Sequence, residues 1–480
     1  MVYARALFAV VIVAAVGASF FMADGPLPSS EPGETVETEA APQSEEKPVQ
    51  EDQVPGSGAV VCPGPPPELD DIRPERTLQK GVRLDTTERA LVAKAVQAQT
   101  DFAGDLYRRL AGGADGGNVF FSPHSISTIL ALTADGARHK TAKEMLQVLQ
   151  LPAEVDGTGT PDLREIQAAI AALQKQLVGR KDKTELSVAN AIWVDKAMPL
   201  RKPFVDGVLT ADPKAAFENL DFRQNFEPAR LKINDWAETN TNGRIKDLLP
   251  PGMVDELTRL VLTNAVYFKG DWAQKFDAGW TRRSDFTLAD GKKIKTPLMT
   301  RTSKAGYAEF DGYRLLDLPY AGEKLSLLAI LPDEANGLPA IEKELNLEWL
   351  AKRVAGLKER SVQVALPKFK LETTYALVPV LSAMGMPSAF DPGSADLTGF
   401  TDSPEGSGLY ITTIAHKAFV EVNEEGSEAA AATAVVGGFR GPAPAPAMFI
   451  ANRPFVFAIR HRESGQLLFL GRLTQPTPAE

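Results

Sequence analysis

Asn423–Pro446 reads NEEGSEAAAATAVVGGFRGPAPAP. Taken alone, the four alanines Ala429, Ala430, Ala431 and Ala432, coming after Glu424 and Glu425, suggest a helix. The residues that follow oppose it. Thr433, Val435 and Val436 favour an extended chain, and Gly437-Gly438 does not sustain a helix. From 427 to 436 there is no proline and one charge, Glu428. Such a segment is able to enter the middle of a sheet, where every backbone N–H needs a partner. As a strand it would put Ser427, Ala429, Ala431, Thr433 and Val435 on one face, small enough for a packed interior, with Glu428 on the other. The stretch therefore suits two states, exposed loop and strand. Beyond it, Phe439-Arg440-Gly441 is followed by Pro442, Pro444 and Pro446, which would hold the chain extended and accessible.

Working outward, Phe455–Arg460 and Leu467–Arg472 flank Ser464-Gly465 and predict a terminal hairpin. Val362, Val364 and Leu366 alternate as a half-buried strand does, and Leu325–Leu331 is a short apolar run of the fully buried kind. From about Leu186 the pattern is mostly strand. Before it the pattern is helical. Asp85 and Glu88 have capping-box spacing and open a helix with Leu91, Ala95, Phe102, Leu106 and Leu110 on one face, stopped by Gly112-Gly113. Further helices are predicted after Ser122-Pro123, over Thr141–Leu149 and over Ile166–Leu177. Lys175, Arg180, Lys181 and Lys183 read as a solvated face rather than a polyanion site. Helices first and strands later indicate an α+β fold with a large sheet.

The formal net charge of −10 is unevenly spread. Residues 24–80 carry 13 acids and 4 bases, so the body is close to neutral, which argues against a nucleic-acid partner. That segment is rich in Pro, Glu, Gly and Ser and is expected to be a disordered tether. Ahead of it, residues 6–23 form an almost unbroken apolar run behind Arg5, an export signal or a retained membrane anchor spanning 1–23. Either outcome predicts a body outside the cytoplasm, secreted or tethered. The one cysteine, Cys62, lies in the tether, so no intrachain disulfide is available.

Catalytic and cofactor signatures are missing. There are four histidines, His124, His139, His416 and His461, and no HExxH, Cys/His cluster, phosphate-binding Gly-Lys-Ser/Thr loop or GxSxG elbow. An enzyme is not expected, and no metal or cofactor is implied.

His416-Lys417-Ala418-Phe419 through Asn423–Ala431 resembles the hinge signature of the serpins, and Phe449-Ile450-Ala451-Asn452-Arg453-Pro454-Phe455 resembles the segment after their reactive loop. Asn118–Ser127, Asn234-Asp235-Trp236 with Asn240–Ile245, Thr263–Trp272 and Leu366–Lys370 are similar to further family blocks, in order. The resemblance covers about 84–477. It implies a serpin domain at 81–480: helices around a large central mixed sheet plus smaller sheets, with an exposed reactive loop at 424–446. It also implies a mechanism. The loop is offered to a protease, cleavage acylates the enzyme, and the hinge (Glu424, Glu425, Gly426, Ser427, Glu428, Ala429–Ala432, Thr433) inserts into the main sheet and traps it. Counting from the hinge glycine puts the scissile bond at Arg440-Gly441, so the expected partner is a trypsin-like, arginine-specific serine protease. Alternatives are a bond shifted to Phe439-Arg440, an arginine-specific cysteine protease, or a non-inhibitory binding or scaffold serpin. A monomer is expected. Ser122, Ser125, Asn264 and His416 match the family's "shutter" beneath the opening sheet, which makes His416 structural rather than a base. Trp272 matches the aromatic at the "breach", where insertion starts. His124 departs from the family, which often has an apolar residue there.

Overall fold

The computed structural model describes residues 85–177, 184–425 and 445–477. The first helix, α1 (Thr86–Gly113), opens on the expected capping box: the Asp85 carboxylate accepts from the Glu88 N–H, and the Glu88 side chain accepts from the Asp85 N–H. Its buried stripe runs through Val92, Val96, Phe102, Leu106 and Tyr107. Leu91, Ala95 and Leu110, expected on that face, lie half-buried at its margin. The stripe is rotated because Gln99 and Thr100, polar in the sequence, are also buried.

Ser122 caps α2 (Pro123–Ala134), accepting from the Ser125 N–H, with proline in the first turn where no N–H is needed. Next come α3 (His139–Val148), which starts two residues before the expected Thr141, and α4 (Arg164–Leu177). Helices do not stop there: α5 (Lys202–Ala211), α6 (Phe222–Asn240), α7 (Leu338–Glu344), α8 (Leu347–Ala355) and α9 (Val378–Met384) are set among the strands.

The strands form two mixed sheets, and the organisation is α+β. One sheet orders β1 (Val119–Phe121), β14 (Leu467–Leu473), β13 (Phe455–His461), β8 (Leu325–Pro332), β7 (Tyr313–Pro319), β6 (Lys293–Phe310), β9 (Lys358–Pro367) and β12 (Ala447–Ile450), with β5 (Arg282–Thr287) also on β6. The terminal hairpin is thus β13–β14. The other sheet has five strands, in the order β10 (Phe369–Ala376), β11 (Ile411–Val422), β4 (Leu260–Gly270), β2 (Thr184–Asp195) and β3 (Ala216–Leu220).

Each face of the five-stranded sheet is buried, so its central strands read as apolar runs broken by few polar residues. Val266, Ala418 and Val420 point into a core shared with the nine-stranded sheet. Ala265, Tyr267, Ala415 and Phe419 point the other way, into a core that includes Ile233 and Ala237 of α6. The central strand β4 and its neighbour β11 run parallel and pair directly from Leu260 with Ile411 to Phe268 with Val420.

Candidate functional site

Three polar side chains lie in one row across the centre of the five-stranded sheet. Asn190 on β2 is the register partner of Asn264 on β4, which is the partner of His416 on β11. All three are almost wholly buried. Tyr375 on β10 extends the row, its ring stacked with His416 at 6.4 Å between centroids. The N-terminus of α2 docks on this row. The Ser122 N–H donates to His416 Nε2 at 3.1 Å. His416 Nε2 is therefore an acceptor, and Nδ1 carries the proton that it shares with Asn264 Oδ1. Asn264 Nδ2 donates to Ser125 Oγ and to Asn190 Oδ1. The Ser122 hydroxyl donates to the Leu468 carbonyl of β14 at 2.7 Å, so one serine ties helix cap, row and second sheet together.

Burial with no acid beside it lowers the pKa of His416 from 6.5 to about 3. It is neutral, and both its ring nitrogens are engaged within the row. The structure brings together Ser122, Ser125, Asn264 and His416. Asn190 was missed; its only signal is one amide inside the apolar run Leu186–Val194, which by itself says no more than a satisfied buried polar group.

Trp272 lies at the end of β4, where β11 also ends. It is stacked on Tyr320 at 4.7 Å, and its Nε1–H donates to the Asn423 carbonyl at 2.9 Å. Beside it the Glu424 carboxylate accepts from Thr281 Oγ1 at 2.7 Å and pairs with Lys368 Nζ at 2.9 Å. These hydrogen bonds outweigh burial and leave the Glu424 pKa below its ordinary value. The Glu425 N–H donates to Asn423 Oδ1 at 3.1 Å. Trp272, Glu424 and Glu425 are thus placed together where β11 ends, away from the His416 row. Gly426, Ser427, Glu428, Ala429–Ala432, Thr433, Arg440 and Gly441 lie outside the described residues, as do residues 1–80 with Cys62 and the apolar run 6–23.

His124 turns away from this row. Its ring packs between α1, α2 and α4 beside Gln99, Ser127, Ile170 and Leu173. Nδ1 meets Gln466 Nε2 at 2.8 Å, while Nε2 has no partner among the described residues. Desolvation lowers its pKa from 6.5 to about 4. Among the described residues, no group of three or more His, Cys, Asp or Glu side chains could hold a metal ion. No helix among them is long and apolar enough to cross a membrane.

The family model described as serpin (serine protease inhibitor) matches residues 97–476. The chain belongs to the serpin family. This serpin is 38% identical over 388 residues to the human leukocyte elastase inhibitor, covering 79% of this chain and 98% of that one. It is 39% identical over 383 residues to an uncharacterised serpin-like protein of Thermococcus kodakarensis, covering 79% and 85%. Among solved structures, uncleaved ovalbumin superposes with a TM-score of 0.70 at 28% identity, covering 79% of this serpin and 99% of that chain.

Proposed function

We propose that this serpin is an irreversible suicide-substrate inhibitor of a trypsin-like, arginine-specific serine protease, cut at Arg440-Gly441 and trapping the enzyme by inserting its hinge between β4 and β11. The observation that carries the proposal is the direct parallel pairing of β4 with β11. A chain that leaves the end of β11 and turns back runs antiparallel to β11, and therefore to β4 as well. One parallel ladder would become two antiparallel ones, the more stable arrangement per residue.

The sequence fits that slot. With a turn at Glu424-Glu425 in the inserted form, Asn423 would oppose Gly426 and His416 would oppose Thr433. Ser427, Ala429, Ala431, Thr433 and Val435 would then share the face of Val422, Val420, Ala418, His416 and Ile414, and these five β11 residues are buried. Small side chains are what such a face admits. The name of the human relative, an elastase inhibitor, supports protease inhibition in general. Arginine selectivity rests on Arg440 alone. Export, with the body secreted or held at a membrane by residues 6–23, rests on the N-terminal composition.

Incubation with trypsin tests the reading. A band at the summed mass that survives denaturant is expected, with Gly441 as the new N-terminus of the released fragment. Arg440→Ala should abolish it without altering the fold. A nicked protein beside fully active trypsin would leave the chain a binding or scaffold serpin. Trapping only of an arginine-specific cysteine protease would change the target class.

A further inference from the structure

The hydrogen-bonded row beneath β4 and β11 has a direction, and one residue outside every motif ends it. The Ser122 main-chain N–H can only donate, and His416 Nε2 accepts from it. His416 Nδ1–H donates to Asn264 Oδ1, and the Asn264 amide N–H groups donate to Ser125 Oγ and Asn190 Oδ1. Asn190 Nδ2 donates in turn to Asp212 Oδ2 at 3.1 Å. Asp212 is buried at the C-terminal cap of α5. Its own N–H is bonded to the Val208 carbonyl at 2.8 Å, and its Oδ1 accepts the Lys214 N–H at 3.2 Å. Both carboxylate oxygens are thus acceptors.

A tautomer change at His416, or an amide flip at Asn264 or Asn190, sets donor against donor or acceptor against acceptor on either side. The row is whole in one direction only, and a group at each end enforces that direction. We propose that Asp212 is a positioning residue of this network: through two asparagines it backs the direction that the Ser122 N–H imposes from the other end, so that the row tolerates one tautomer of His416 and holds β4 against β11. The consequence for sheet opening rests on the inhibitory reading; the tautomer does not.

Long-range proton–nitrogen spectroscopy of the imidazoles in the full chain tests this directly, since only four histidines need assigning. Wild-type His416 should be a single Nδ1–H tautomer; an Nε2–H form there would overturn the proposal before any variant is made. Asp212→Asn keeps the shape but offers an amide donor, so the row is able to reverse at the cost of the Ser122 bond alone. The Nε2–H form should then rise to roughly a tenth of the population or more, and exchange of the Ser122 N–H should quicken about tenfold, as the loss of one ordinary hydrogen bond allows. Asp212→Ala removes the acceptor without adding a donor. It should loosen Asn190 yet leave the tautomer unchanged. Reversal in both variants, or in neither, would show that Asp212 does not back the direction. Failure of the wild type to trap trypsin would end the inhibitory reading and leave this result standing.

Discussion

Mild acid should destabilise this serpin through two buried histidines, and one substitution separates them. His124 and His416 are enclosed with no carboxylate beside them, and burial takes their pKa values from 6.5 to about 4 and about 3. In the unfolded chain both take up a proton near pH 6.5. Between that value and the native ones the unfolded state holds more protons. Stability is therefore complete above pH 6.5 and is lost as pH falls through this window. At pH 5 the native rings are still neutral, so the loss depends only on the unfolded side. About 1.5 pH units at about 1.4 kcal/mol each give ~2 kcal/mol per histidine. His124→Leu removes one of the two. At pH 8 it loses the bond to Gln466, at about 1 kcal/mol. At pH 5 it also sheds the ~2 kcal/mol penalty and should be about 1 kcal/mol more stable than wild type, with the two curves crossing near pH 6 by the same linkage. Urea unfolding followed by tryptophan fluorescence at pH 5, 6 and 8, at one ionic strength, measures the difference, from which the other titrating groups cancel. A variant that loses stability with falling pH as steeply as wild type would refute the reasoning: native His124 would then be protonating near its ordinary pKa.

Glu424→Lys should destabilise the native form by about 2 kcal/mol, because it exchanges the bonds to Thr281 and Lys368 for two ammonium groups in a partly solvated site; an unchanged melting point would show that the clasp carries no stability. Thr433→Arg or Ala429→Pro should turn inhibitor into substrate, one by putting a charge on the packed face and the other by removing a ladder hydrogen bond. Full trapping of trypsin by either variant counts against insertion. Wild type cut once near Arg440 should melt on the order of tens of degrees above the intact protein, since a new central strand would be added. Scans at several heating rates, with Ala429→Pro as the control that gains less, would detect equal melting, the outcome that removes strand insertion from the account.

Local chemistry made some of this readable in advance. The capping box of α1 is set by two residues three apart, and the β13–β14 hairpin by the turn residues between its strands. The reading of residues 427–436 as a segment fit for a sheet falls outside the described residues. The core face of α1 was displaced because Gln99 and Thr100 are buried, which no apolar pattern indicates. The network of Ser122, Asn264 and His416 was recoverable only through resemblance: the three are far apart in the chain, and only the register of β4 with β11 and the docking of α2 make them neighbours. Asn190 and Asp212 show the limit more sharply. Each is an ordinary polar residue until the β2–β4 pairing and the α5 cap place them in line.

If the chain inhibits as proposed, the separation between the Trp272 clasp and the His416 row would have a mechanical meaning. One holds Asn423, just past the end of β11, and the other holds His416 within it, seven residues or roughly 23 Å apart along an extended chain. A hinge entering from the Asn423 end would meet them one after the other, as a latch and then a checkpoint. On the proposed inhibitory mechanism, a fault at the latch would alter how often a loop starts to enter. A fault at the checkpoint would alter whether a loop already entering runs to the far end before the acylated protease hydrolyses itself free. The two positions would divide the inhibitor's timing into an ignition step and a race, each adjustable without the other.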